Sequence, residues 1–291
     1  MAEQLASLWP LLALLFSGCG ALIIGFNQWA KLDGTRLVVW RWAGIAPLGA
    51  FASLFLPFPS NPEFYAVAVA MGVGLAYADS LLFNASRHHG ARLTALYVPL
   101  KMLLAFTFWA LLHPLSLLPL WLEPWRLPLL LGGFALCGGA LAMLRTSDVS
   151  WAALGAITPV AIFFALGDVV AKAALPPPSG APAALVGSAV AFLLTTSTVG
   201  ALGGLLLQGW QTPTLPQLAK STAFGVLLLA SLALLLVTLA LAPNPGYVAA
   251  ITMLSALWLA LYARLRHGAQ ENLWAGLGLL LGALGVALGG Y

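Results

Sequence analysis

Charge is scarce in this chain: Asp, Glu, Lys and Arg make up 7% of its 291 residues, against the roughly 25% of a soluble domain. Hydrophobic residues make up 62%, more than a water-soluble fold can hide, so the solvent is lipid. Cysteine is nearly missing. Cys19 and Cys137 both sit inside apolar runs, where they read as small hydrophobes rather than a disulfide framework. Histidine is sparse as well. His88 and His89 fall in a loop, and His113 and His267 stand alone, so neither a metal site nor a metal cofactor is expected. Lys and Arg form no run and no basic face, which argues against a nucleic-acid partner. No Gly-x4-Gly-Lys phrase occurs, so nucleotide hydrolysis is not expected. Serines and histidines do not cluster inside the apolar runs, which argues against an intramembrane protease. No catalytic residue and no cofactor is assigned. The start, Met1-Ala2-Glu3-Gln4, lacks the basic region of a signal peptide, so the first apolar run is expected to be retained.

What is present is long apolar sequence cut by polar, proline and glycine punctuation. A helix needs about 20 apolar residues to cross about 30 Å of hydrocarbon. The breaks at Asp33-Gly34, Pro57-Phe58-Pro59, Arg87-His88-His89-Gly90, Pro176-Pro177-Pro178-Ser179-Gly180 and Pro243-Asn244-Pro245-Gly246 help divide the chain into ten such pieces. They are 8–30, 35–56, 64–86, 91–112, 127–145, 151–174, 182–208, 217–242, 246–265 and 272–290. The Leu-rich stretch from Pro114 to Arg126 can instead lie along the membrane interface. Strand-like alternation is absent, which excludes a β-barrel. The expected fold is an all-α integral membrane bundle.

Two phrases 141 positions apart echo each other. Asn27-Gln28-Trp29-Ala30-Lys31 closes the first run and Asp168-Val169-Val170-Ala171-Lys172 closes the sixth. Five spans between them put the two phrases on opposite sides of the membrane, the mark of an inverted repeat, and inverted repeats belong mainly to transporters. The repeat divides the chain into 1–148 and 149–291. Gly132-x5-Gly138 in the fifth span and Gly276-x5-Gly282 in the tenth repeat as well, and small residues let helices approach closely. Alternate loops carry Lys31, Arg36, Arg87, Arg92, Arg145, Lys220, Arg264 and Arg266, against Arg126 and Lys172 on the other side. The positive-inside rule then places both termini outside a bacterial inner (plasma) membrane.

The order of these features resembles the drug/metabolite transporter superfamily, in its ten-helix EamA-type branch. The resemblance runs through Asn27 to Lys31, Arg41 in Trp40-Arg41-Trp42, Phe83-Asn84-Ala85, the mid-helix Pro99, and Glu123 nine residues before Gly132. It implies alternating access in a secondary transporter for a small polar metabolite of amino acid, amine or carboxylate type, with export the commoner direction. The chain departs from the pattern at Ser255, where the second-half proline is expected, and at Ala269, where the glutamate is expected. The stretch between Pro99 and Glu123 is also longer, and the family habit places both termini in the cytoplasm. Other readings are a flippase for an amphiphilic or lipid-linked substrate and a non-transporting membrane subunit.

Ionisable groups inside spans are costly and mark function by default. At a rise of about 1.5 Å per residue, Arg41 lies about 9 Å, Asp79 about 12 Å and Lys101 about 15 Å below one surface. Asp79 and Lys101 are expected to pair, leaving Arg41 uncompensated and tilting the substrate toward a carboxylate or phosphate. The competing reading is structural, with the pair fixing helix register and Arg41 snorkelling to the headgroups. Asp168 lies about 10 Å below the opposite surface. It either pairs with Lys172 one turn away or takes part in gating, and Asn27 with Lys31 repeats that geometry. Tyr77, Tyr97, Thr252 and Trp258 complete the expected substrate-binding set. Asn27, Lys31, Asp168 and Lys172 form the gating or coupling set, with proton coupling left open. Trp42, Trp109 and Trp258 either stack on a ligand or pack in the bundle. The Thr195-Thr196-Ser197-Thr198 run is expected to bond back to its own helix.

Overall fold

The computed structural model describes residues 6–30, 34–89, 97–143, 151–177, 181–208, 212–267 and 273–290. Among them every regular element is a helix. The first half holds α1 (Trp9–Ala30), α2 (Gly34–Trp40), α3 (Trp42–Ala52), α4 (Pro62–His89), α5 (Tyr97–Leu112), α6 (Leu118–Leu122) and α7 (Arg126–Met143). The second holds α8 (Trp151–Ala174), α9 (Pro182–Gln208), α10 (Leu215–Leu241), α11 (Pro245–Thr252), α12 (Leu254–His267) and α13 (Leu273–Gly289).

The punctuation works through chemistry that helix ends require. Proline tolerates the first turn, where its missing N–H has no acceptor to serve, and it opens α4, α9 and α11. Asn61 Oδ1 accepts from the Glu63 N–H at 2.9 Å, and Asn244 Oδ1 accepts from the Gly246 N–H at 2.8 Å. Each side chain thereby satisfies a donor left free at a helix start. Gln217 Oε1 reaches back to the Thr214 N–H at 3.0 Å, the return half of a capping box on α10. α4 continues through His89, beyond the end expected at residue 86, and Gly90 of the expected break lies outside the described residues.

Among the described residues five helices are long and apolar enough to cross a bilayer: α1, α7, α9, α10 and the joined α11–α12. A sixth is gained if α5 and the helical turns after it, bent by 115°, count as one span. The protein is thus an all-α membrane protein, but the expected ten spans reduce to five or six by length and composition. Two of the remaining segments fall short through their geometry. The second span is divided at Arg41 into α2 and α3. α13 has 17 residues. The bend after α5 turns the Leu-rich stretch sideways, with Leu115, Trp121 and Leu122 exposed.

The two halves do not fold side by side; they interleave. α1 packs on α10, α11 and α12, while α8 packs on α4 and α5. α2 and α3 lie on α9 and α10, α4 on α9, α5 on α11, and α7 on α13. Exchanging the halves converts the partners of α1 into those of α8, and the α4–α9 pair into the α3–α10 pair. Glycines permit the closest crossings. A Cβ on Gly225 would meet the Arg41 carbonyl, and one on Gly44 would meet the Thr222 carbonyl, so α3 and α10 touch backbone to backbone. Between α7 and α13 the contact runs through Gly133 and Gly282, where a Cβ on either would lie 2.8–2.9 Å from the other helix's backbone oxygen. Gly132 and Gly138, singled out by their spacing, have nothing within 4 Å.

Candidate functional site

A cavity of about 430 Å³ opens where the halves meet. Most of its wall is apolar, with Phe16, Leu75, Phe164, Phe192 and Phe224 among the larger side chains. Among the described residues four charged groups also line it: Arg41, Asp79, Lys101 and Asp168. They come from the α2–α3 break, α4, α5 and α8, so both halves contribute.

The charges form two ion pairs. Lys101 Nζ lies 2.7 Å from Asp168 Oδ2, with side chains 17% and 11% exposed. Arg41 Nη2 lies 3.0 Å from Asp79 Oδ2. The expected Asp79–Lys101 pair is therefore not formed. Residues at matching depth on consecutive helices can pair only where those helices adjoin. Here α8 packs against both α4 and α5, and its Asp168 takes the lysine. Arg41 in turn satisfies Asp79, so among the described residues the four charges of the cavity cancel and Arg41 is not left uncompensated. The basis for an anionic substrate goes with it.

Arg41 also carries a buried donor. Its Nε is buried and has no hydrogen-bond partner among the described residues. A buried N–H without an acceptor costs about 1–3 kcal/mol, and this one belongs to a side chain that lines a cavity.

The remaining expected residues divide. Thr252 lines the cavity while its hydroxyl donates to the Ala249 carbonyl of its own helix at 2.8 Å. Tyr77 does not line it; the residue is 54% exposed and its ring meets Phe163 edge-on at 5.5 Å. Trp258 acts from behind the wall, its indole N–H donating to Ser17 Oγ at 2.8 Å. Lys172 does not pair with Asp168. Its ammonium donates to the carbonyls of Leu239, Ala240 and Ala242 and stands 4.9 Å from the centre of the Trp109 ring. Lys31 lies outside the described residues, as do the side chains of Asn27 and Tyr97. Trp42, Trp109 and Trp258 are not among the residues that line the cavity, and the Trp42 indole N–H donates to Thr198 Oγ1 at 2.9 Å.

Ser17 is the residue that sequence reasoning passed over. It lines the cavity with Gly20, is fully buried, and joins its hydroxyl to the Leu14 carbonyl at 2.6 Å. A serine amid the leucines and glycines of α1 was the available signal. Thr195, Thr196 and Thr198 bond back to Ala191, Leu193 and Leu194, as expected of hydroxyls in an apolar helix. Thr196 and Ser197 still face the cavity.

No family model matches the chain, and no curated protein does. A solved structure described only as a crystal structure of a protein superposes with a TM-score of 0.64 at 18% identity. The match covers 97% of this chain and 95% of that one. At that identity the likeness is one of fold.

Proposed function

We propose that the chain is a secondary transporter that moves a small polar metabolite through the central cavity by alternating access. The observation that carries this reading is the placement of two ion pairs in one mostly apolar cavity between interleaved halves. Bringing four charges inside an apolar bundle carries a desolvation cost that a purely structural bundle has little reason to bear. The matched packing order of the halves supports an inverted repeat, and transporters of that kind bind substrate at the repeat interface. The drug/metabolite transporter resemblance agrees, with residues 1–148 and 149–291 as the repeats.

The balanced charges refine the substrate class. A ligand with a net charge would leave an unmatched ion in low dielectric, whereas one whose own charges cancel can exchange partners with each pair. Small polar metabolites with no net charge fit best. The direct test is flux in proteoliposomes over a metabolite panel, with and without a proton gradient. Absence of flux for every compound, in folded and inserted protein, counts against the reading.

A further inference from the structure

One helical turn past Asp168, α8 carries Lys172, which lies outside the cavity lining. Its ammonium donates to the carbonyl oxygens of Leu239 at 2.9 Å, Ala240 at 3.4 Å and Ala242 at 2.5 Å. These carbonyls end α10, where the last turn of a helix has no further N–H to offer them. The cation therefore satisfies orphan acceptors and sits at the negative end of the helix dipole. Trp109 of α5 covers it from the other side. One charged group ties α8, α10 and α5 together.

The same end of the bundle is packed shut. Asn244 Nδ2 donates to the Phe106 carbonyl at 3.3 Å. A Cβ on Gly246 would lie 2.5 Å from Phe106 Cβ, so α11 and α5 are in direct contact. The Tyr247 ring meets Trp9 at 6.1 Å, Phe106 at 5.9 Å and Phe134 at 6.3 Å, an aromatic plug beneath the cavity. The cavity extends the other way, toward Ile24, Leu37 and Val98.

We infer that Lys172 is a latch that holds this end closed and releases α10 when the end opens. The inference rests on the transport reading for its cycle, but its own observable is conformation. Lysine suits such a latch because its compact ammonium is held by several oxygens when closed and is strongly hydrated when exposed. Because α8 also carries Asp168, a ligand that displaces Lys101 loads the helix that bears the latch.

The test uses full-length protein with Cys19→Ala and Cys137→Ala, carrying Leu235→Cys as a cavity reporter. Vesicles are labelled from each side with a membrane-impermeant methanethiosulfonate. Lys172→Met is expected to raise labelling from the latched end roughly tenfold, and Lys172→Gln, which keeps a donor, by less. Unchanged labelling in both folded variants overturns the latch. Failure of both to fold overturns it too, since a contact broken in every cycle is dispensable to the fold. Flux measured alongside separates the two claims: shifted labelling without flux sustains the latch and sinks the transporter reading, while flux with unshifted labelling does the reverse.

Discussion

Lys101 and Asp168 join the two halves of the chain across 2.7 Å, inside a cavity otherwise walled mainly by apolar side chains. Removing one partner leaves the other charge buried and uncompensated. Asp168→Ala is expected to destabilise the detergent-solubilised protein by about 3–5 kcal/mol. Replacing both residues with leucine-sized apolar groups is expected to recover most of that loss. Thermal unfolding of the single and double variants checks both, and additive losses contradict a coupled pair.

Arg41 lines the cavity and gives Nη2 to Asp79. Arg41→Lys retains the charge but offers a single ammonium in place of a planar fork. Its stability is expected to stay within about 1 kcal/mol of the wild type. The substrate concentration for half-maximal flux is expected to rise roughly tenfold, the effect of one lost charge-assisted hydrogen bond. An unchanged concentration dependence removes Arg41 from the binding site.

Adjacent glycines give an internal control on packing. A Cβ on Gly133 would strike Gly282 and Val286 of α13, whereas one on Gly132 meets nothing within 4 Å. Gly133→Ala is expected to cost about 1–3 kcal/mol of overpacking. Gly132→Ala is expected to be neutral or slightly stabilising through helix propensity. Melting temperatures of the two variants decide the matter, and equal effects contradict the close α7–α13 crossing.

Gly225 makes a sharper case because its neighbour is the Arg41 carbonyl. Gly225→Ala is expected to push α10 away from the α2–α3 break and so to move Arg41. Both a lower melting temperature and a weaker apparent substrate affinity should follow. A stability loss with affinity intact would show that the break does not position Arg41.

Much of the fold was legible because proline, asparagine and glycine punctuate helices for local reasons. The break expected at Pro243 to Gly246 coincides with the start of α11, where Asn244 is the cap. The charged residues were legible too, since any ionisable group in an apolar run stands out. Their partners were not. Depth along a helix follows from residue number, but which helix lies alongside depends on topology, and α8 comes between α4 and α5. The number of spans was overcounted in part because a stretch divided at Arg41 looks continuous in composition, and the tenth closes as a helix of 17 residues. Gly132 and Gly133 differ only in the face that they present, which a spacing rule applied without the partner helix cannot distinguish. The twin phrases led to Lys172, yet not to its contacts, because backbone carbonyls at the end of α10 leave no trace in side-chain pattern.

The central claim is that the two ion pairs form a transport site. The most direct measurement compares proteoliposomes carrying wild-type protein and Lys101→Ala for flux of the same uncharged or zwitterionic metabolites. Wild-type protein is expected to move at least one of them, and folded, correctly inserted Lys101→Ala to lose at least nine-tenths of that flux, a change of about 1.4 kcal/mol or more. Equal flux through both proteins would contradict the account.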